Sequence, residues 1–119
     1  MEGHFITITG IKNYYGFKPF RVGQNLRIRK DIGNFHDCEA IAAELPYIGT
    51  VGYVANSTHT VYSGTVSAGR LYDKIGDYAY ATVMFITHSA VIALVIPPEE
   101  FEKEDKAEDI EEFNDTVKF

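Results

Sequence analysis

Apolar and polar residues alternate with a period of two in several short runs, the pattern of half-buried strands. HFITIT (4–9) and NLRIRK (25–30) alternate cleanly. In the second, Leu26 and Ile28 point inward while Arg27 and Arg29 share the outer face. YIGTVGYVAN (47–56) reads as a strand, and its Gly49 and Gly52 mark a bulge or a close backbone approach. YAYATVMFIT (78–87) and AVIALVI (90–96) are two further strands, joined by a hairpin at HSA. EAIAAEL (39–45) fits a strand or a helix on pattern alone, but Pro46 ends it and an apolar run follows, which favours a strand.

The connecting segments carry different chemistry. GIKNYYGFKPFRVGQ (10–24) is rich in glycine and aromatics and predicts an ordered loop, and DIGN (31–34) is a turn. In residues 56–76, Asn56 or Ser57 is placed to cap one short helix. Ser67 is placed to cap a second over SAGRLYDKI, with Gly76 as its stop. These elements predict an α+β fold, mainly β: a small OB-like antiparallel barrel of about six strands with one or two short helices. Pro97 and Pro98 close the domain at residues 1–98, and an acidic C-terminal tail or helix follows at 99–119. In that segment Ile110, Phe113 and Val117 form a thin apolar stripe that either docks or stays solvated.

Composition changes the picture in three ways. At 119 residues and 45% hydrophobic, the chain fits one globular domain, with its sixteen Phe and Tyr expected to supply much of the buried area. The single cysteine, Cys38, excludes an internal disulfide, and the first residues lack the pattern of a signal peptide, so a cytoplasmic location is expected. The longest apolar run, 90–96, is far short of the roughly 20 residues needed to cross a bilayer, so no membrane role is expected. The net charge of −6 is unevenly spread. Residues 99–119 hold ten acids and three lysines, a net of −7, against seven acids and eight bases in residues 1–98. Six of those bases, Lys12, Lys18, Arg21, Arg27, Arg29 and Lys30, gather between positions 12 and 30, where an anionic partner would meet them.

Catalytic and metal-binding motifs fare poorly. GTVSAGRL (64–71) has two P-loop glycines, but Arg70 stands in place of the lysine and Leu71 in place of the magnesium-binding hydroxyl, so it reads as the entry to a helix. His36 and Cys38 are one close pair of ligands, whereas a structural zinc site takes two. Asp31, Asn34 and Asp37 step by three, unlike the every-second-residue oxygens of a calcium loop. No serine lies in a nucleophile elbow, and Cys38 reads as a small core residue. The expectation is a non-enzymatic protein without metal or other cofactor. KNYYGFKPFR (12–21) is more informative. It interleaves cations with rings, as a surface for single-stranded nucleic acid does, though the same residues could cap the barrel.

Taken in order, TGIKNYYG (9–16), VGQNLRIRKD (22–31), NFHDCEAI (34–41) and IGTVGYVAN (48–56) resemble the HIRAN domain. The Asn-x-x-Asp-x-x-Ala-Ile core followed by a Val-Gly-Tyr-Val strand is the most specific part, and the resemblance spans roughly residues 5–96. It implies a DNA-binding module on a modified OB-like barrel that grips single-stranded DNA at a free 3′ end, in DNA repair or replication-fork processing. With no ATPase motif, the chain is similar to the small free-standing bacterial members. Carried over, the resemblance assigns Asp37 to the terminal hydroxyl and Asn34 to the amide of the same loop. Lys12 takes a basic DNA-contacting position, and Tyr14 takes one of a pair of aromatics. Asn13 falls at the other, for which Tyr15 substitutes by a one-residue shift. Tyr53 and Asn56 supply polar contacts from the next strand, and His36 stands where end-binding members have a tyrosine. The alternative from another class is a protein-interaction or self-assembly module, with a protein partner or a second copy as its ligand, that keeps the fold without binding nucleic acid.

Overall fold

The computed structural model describes residues 4–96. The two prolines and the acidic segment, with its expected tail or helix, lie outside the described residues. Six strands form: β1 (His4–Thr9), β2 (Asn25–Lys30), β3 (Ile41–Leu45), β4 (Gly49–Val54), β5 (Tyr78–Ile86) and β6 (Val91–Ile96). They pair antiparallel in the order β1-β4-β3-β2-β5-β6, and β1 closes the barrel against β6. The fold is thus the small, mainly β, OB-like barrel that the alternation predicts. EAIAAEL resolves as a strand, and Pro46 stands just past its end. Among the described residues no helix is long and apolar enough to cross a membrane.

The interior is aliphatic. Ile6, Ile8, Leu26, Ile28, Ile41, Val51, Val83, Val91 and Val95 are essentially inaccessible, with Ala43, Ala79, Ala81 and Ala93 filling the gaps. Each large aliphatic contributes roughly 1.5–3 kcal/mol on burial. The aromatics, expected to supply much of the buried area, contribute one residue to the fully buried set: of those between 4 and 96, only Phe20 is buried, and Tyr53, Tyr62, Tyr72 and Tyr80 are half-buried. A barrel of this girth leaves room for branched aliphatics and alanine, so the rings lie on its outer surface and over its rims.

β1 is the closing strand, and its two seams are unequal. Residues His4–Ile8 pair with Val91–Val95 of β6 along five positions, but β4 is met only at Ile8↔Val54 and Thr9↔Tyr53. Past that short seam the chain turns at Gly10 (φ 70°) into one 3-10 turn, Ile11–Asn13, which buries Ile11. Gly52 makes room for this corner. A Cβ there would lie 2.9 Å from the Thr9 carbonyl oxygen, 2.9 Å from Ile8 Cγ2 and 3.0 Å from Ile11 Cγ2.

Two expectations for residues 56–76 need correction. No helix follows Asn56 or Ser57. The Ser57 carbonyl accepts from the Thr60 and Val61 N–H groups, but the single turn does not propagate. Apart from His59 its residues are β-branched or hydroxylic, and the Asn56 amide is engaged elsewhere. The second helix, α1, does form behind Ser67, whose Oγ accepts from the Arg70 N–H at 3.2 Å. It spans only Ala68–Tyr72 and ends at Asp73 rather than at Gly76, and Ile75 is buried just beyond it.

Substituting Gly52→Ala should destabilise the protein by about 1–3 kcal/mol, because backbone as well as side chains must move to admit the methyl group. Urea unfolding of the variant checks this, and an unchanged midpoint would show that the corner is not held against β4.

Candidate functional site

Around the β1–β4 seam the chain brings together residues from three separate segments. Tyr53 lies in register between Thr9 of β1 and Ala42 of β3. The Tyr14 ring, just past the 3-10 turn, lies against it with centroids 6.4 Å apart and planes tilted by 36°. The Tyr53 hydroxyl donates to Asp31 Oδ2 at 2.6 Å, and Asn34 Nδ2 donates to the same oxygen at 3.0 Å. These two bonds hold the Asp31 carboxyl below the usual carboxylate range, the tyrosine contributing most. The same bond raises the Tyr53 pKa, so its phenol stays protonated.

The loop from Asp31 to Ala40 joins β2 to β3 and is closed by the Asp31 N–H donating to the Ala40 carbonyl at 2.9 Å. Asn34 organises its tip: Oδ1 accepts from the His36 and Asp37 N–H groups at 2.8 and 3.0 Å. Asp37 is half-buried. Its Oδ1 accepts from the Glu39 N–H at 2.9 Å, and its Oδ2 accepts from Asn56 Nδ2 at 3.2 Å. Asp37 therefore caps its own loop. A carboxylate offers about four lone-pair sites, so two bonds still leave room for an incoming hydroxyl donor. Asn56 in turn accepts at Oδ1 from the Gly69 N–H at 2.8 Å, tying α1 to the same network.

Five of the eight residues proposed from sequence thus stand in one chain of contacts: Tyr14, Tyr53, Asn34, Asp37 and Asn56. Asp31 links Tyr53 to Asn34. Lys12 and Tyr15 lie outside it as exposed side chains on the same corner as Tyr14, and His36 joins it only through its backbone N–H on Asn34, its side chain exposed at the loop tip. Asp31 is the member that sequence reasoning took only as turn chemistry. Phe35 was missed altogether: it is 99% exposed, on a loop whose backbone Asn34 holds fixed. An apolar ring set among turn residues was the available signal. Cys38 is exposed rather than a core residue, because the loop carries it outside the barrel.

The basic segment is smaller than its composition suggests. Arg27 Nε lies 3.3 Å from Glu44 Oε1, and Arg29 Nη2 lies 2.7 Å from Oε2, around a carboxylate that is almost fully buried. Lys30 Nζ sits 4.3 Å from the Tyr72 ring centroid. Lys12, Lys18 and Arg21 remain as exposed cations of that stretch. Among the described residues no three His, Cys, Asp or Glu side chains gather as metal ligands would.

No protein-family model matches the chain, and neither does a curated protein or a solved structure. The resemblance to HIRAN domains rests on the sequence motifs alone.

Because the Asp31 pKa is lower in the folded state than its unfolded value near 3.9, its contribution to stability is present above that value. It is lost as pH falls through the folded pKa. Tyr53→Phe removes the larger of the two donors and brings the folded value closer to the unfolded one, with Asn34 and Arg29 still lowering it. The variant should therefore lose less stability than the wild type between about pH 6 and pH 3. Thermal melts of both proteins at the two pH values decide it, and equal losses would refute the coupling.

Proposed function

We propose that this protein is a non-enzymatic, cytoplasmic DNA-binding module that takes single-stranded DNA at a free 3′ end, in the manner of the HIRAN domains it resembles, and serves DNA repair or replication-fork processing. The observation that supports this reading best is the contact chain from Tyr14 through Tyr53, Asp31, Asn34 and Asp37 to Asn56. Tyr14, Asn34, Asp37, Tyr53 and Asn56, which the motifs mark on three separate segments, meet in space through Asp31. The chemistry fits. A carboxylate accepts a hydrogen bond from a sugar hydroxyl and repels a phosphate, so Asp37 would favour a free hydroxyl end over a phosphorylated or continuing strand. Exposed rings at Tyr14, Tyr15 and Phe35 offer stacking surfaces, worth about 1–3 kcal/mol per stacked base. Lys12, Lys18 and Arg21 would meet the backbone.

A second reading, a protein-interaction or self-assembly module, has its own support. A mainly apolar cleft of about 600 Å3 lies between residues 62–65 and the β5–β6 hairpin, lined by Phe5, Phe85, Ile86 and Ile92. The register shift between Val83 and Phe85 accompanies a run of exposed apolar residues, Met84, Phe85 and Ile86.

Titrating labelled oligonucleotides separates the two readings. Binding to a strand with a free 3′ end that weakens as salt rises supports the first, because cations on phosphates release counterions. No binding at low salt leaves the second. Within the first reading, Asp37→Ala should reduce the preference for a hydroxyl over a 3′-phosphorylated end more than it reduces overall affinity. A competition between the two ends measures this, and an unchanged ratio removes Asp37 from the role. Lys12→Ala should weaken all strands alike and lower the salt slope by about one unit. A variant that discriminates among sequences instead would place Lys12 on a base.

A further inference from the structure

Beside Asn56 the surface opens into a polar cleft of about 410 Å3, bordered by Asn56, Ser57, Thr58, Ser67 and Arg70 and walled by residues 61–65. We infer that this cleft seats the last internucleotide phosphate of the bound strand, with Arg70 as its cation; the inference rests on the DNA-end reading, in which the 3′ hydroxyl meets Asp37.

The hydrogen bonding of the cleft leaves it rich in donors. Ser67 Oγ accepts from the Arg70 N–H at 3.2 Å, and Ser57 Oγ accepts from the His59 N–H at 3.0 Å. A hydroxyl that accepts through a lone pair keeps its one proton for an acceptor outside. Asn56 Nδ2 gives one hydrogen to Asp37 and retains the second. The Arg70 side chain is exposed and takes part in no ion pair among the described residues, both of which belong to Glu44. Glu39 lies against Gly69, where a Cβ would come within 2.6 Å of its Oε1, yet it forms no ion pair with Arg70. Phosphate oxygens only accept, and a guanidinium fork with hydroxyl and amide donors around it is the set that suits them.

Position adds to composition. Asn56 is the link between the loop and the cleft: Nδ2 is on Asp37, and Oδ1 is on the N–H of Gly69, the residue before Arg70. The carboxylate that repels phosphate and the backbone that carries Arg70 are thus held on the two sides of one amide. A terminal nucleotide presents the matching pair, a hydroxyl at its end and a charged phosphate one sugar away.

The test uses the whole chain and a fluorescein-labelled oligothymidylate with a free 3′ hydroxyl, followed by anisotropy at several salt concentrations. Arg70→Ala and Arg70→Gln should each weaken binding about tenfold at low salt, the lower end of what a hydrogen bond between charged groups supplies. The salt slope should fall by about one unit. Replacing the last phosphate by a neutral methylphosphonate should weaken the wild type to a similar degree but cost neither variant anything further. The exposed position of Arg70 predicts wild-type melting for both variants. Two results overturn the inference while leaving the DNA-end reading in place: variants that bind like the wild type, or a methylphosphonate penalty as large in the variants as in the wild type. A wild type that binds no strand at low salt overturns both.

Discussion

Six short strands enclose an interior filled almost wholly by aliphatic side chains, with Phe20 as the one buried ring among the described residues, and the rest of the molecule follows from that packing. With branched aliphatics and alanines filling the interior, Tyr14, Tyr53, Tyr72, Tyr78, Tyr80 and Phe85 are left on the outside, half-buried or exposed. Rings on the outside need neighbours, and the chain supplies them as pairs. Tyr14 lies on Tyr53, Tyr78 meets Tyr80 edge-on at 5.6 Å, and Phe5 approaches Phe85 at 6.5 Å. The aromatic surface of this protein is therefore a consequence of barrel geometry first, and only some of it needs a functional explanation.

Closure also sets where a site can be built. β1 must reach both neighbours, and it spends its length on β6, leaving two residue pairs for β4. Beyond those pairs the strands part. The corner at residues 10–16 and the segment after Val54 leave on either side; of these, Ala55 keeps a backbone bond to β1, its N–H donating to the Thr7 carbonyl at 2.8 Å. Side chains add most of the connections there: Tyr53 to Asp31, Asp37 to Asn56, Asn56 to the Gly69 N–H. Polar residues concentrated where a barrel's pairing runs out have structural work to do with or without a ligand, which is why Asp37 can cap its loop and still offer acceptor capacity.

The strands were legible because a period of two runs through HFITIT and NLRIRK and the others are short β-rich apolar runs bounded by turn residues or proline, and Ser67 was legible as a cap because its chemistry is local. What failed was whatever depended on partners distant in sequence. The helix expected after Asn56 lost its cap to Asp37 and Gly69, contacts that no local pattern announces. Glu44 reads as one acid in a short apolar strand. Only its register opposite Arg27, at the irregularity between Ala43 and Glu44, reveals a buried carboxylate held by two arginines. The candidate site was legible in its Asn-x-x-Asp loop and its Tyr53 strand because the motif spacing is contiguous. Asp31 as the link and Arg70 as the nearby cation required the fold.

Glu44 also changes how charge should be counted on this surface. A run of six bases between residues 12 and 30 suggests a broad cationic strip, yet two of them are committed to one buried acid. Removing Glu44 to free them would leave two partly buried guanidinium groups without a counter-charge, a change that costs more than an exposed cation gains. Among the described residues the exposed cations are therefore few: Lys12, Lys18 and Arg21 on the long loop, Arg70 on α1 and Lys74 just past it. A protein that coats single strands by charge alone needs a continuous groove of such residues. Few cations set around a carboxylate suit a different task, in which most of the discrimination comes from hydroxyl, amide and ring contacts at one place on the ligand. On the proposed reading, the weak field and the acid at its centre both disfavour the continuous strand, and the free end gains relative to it.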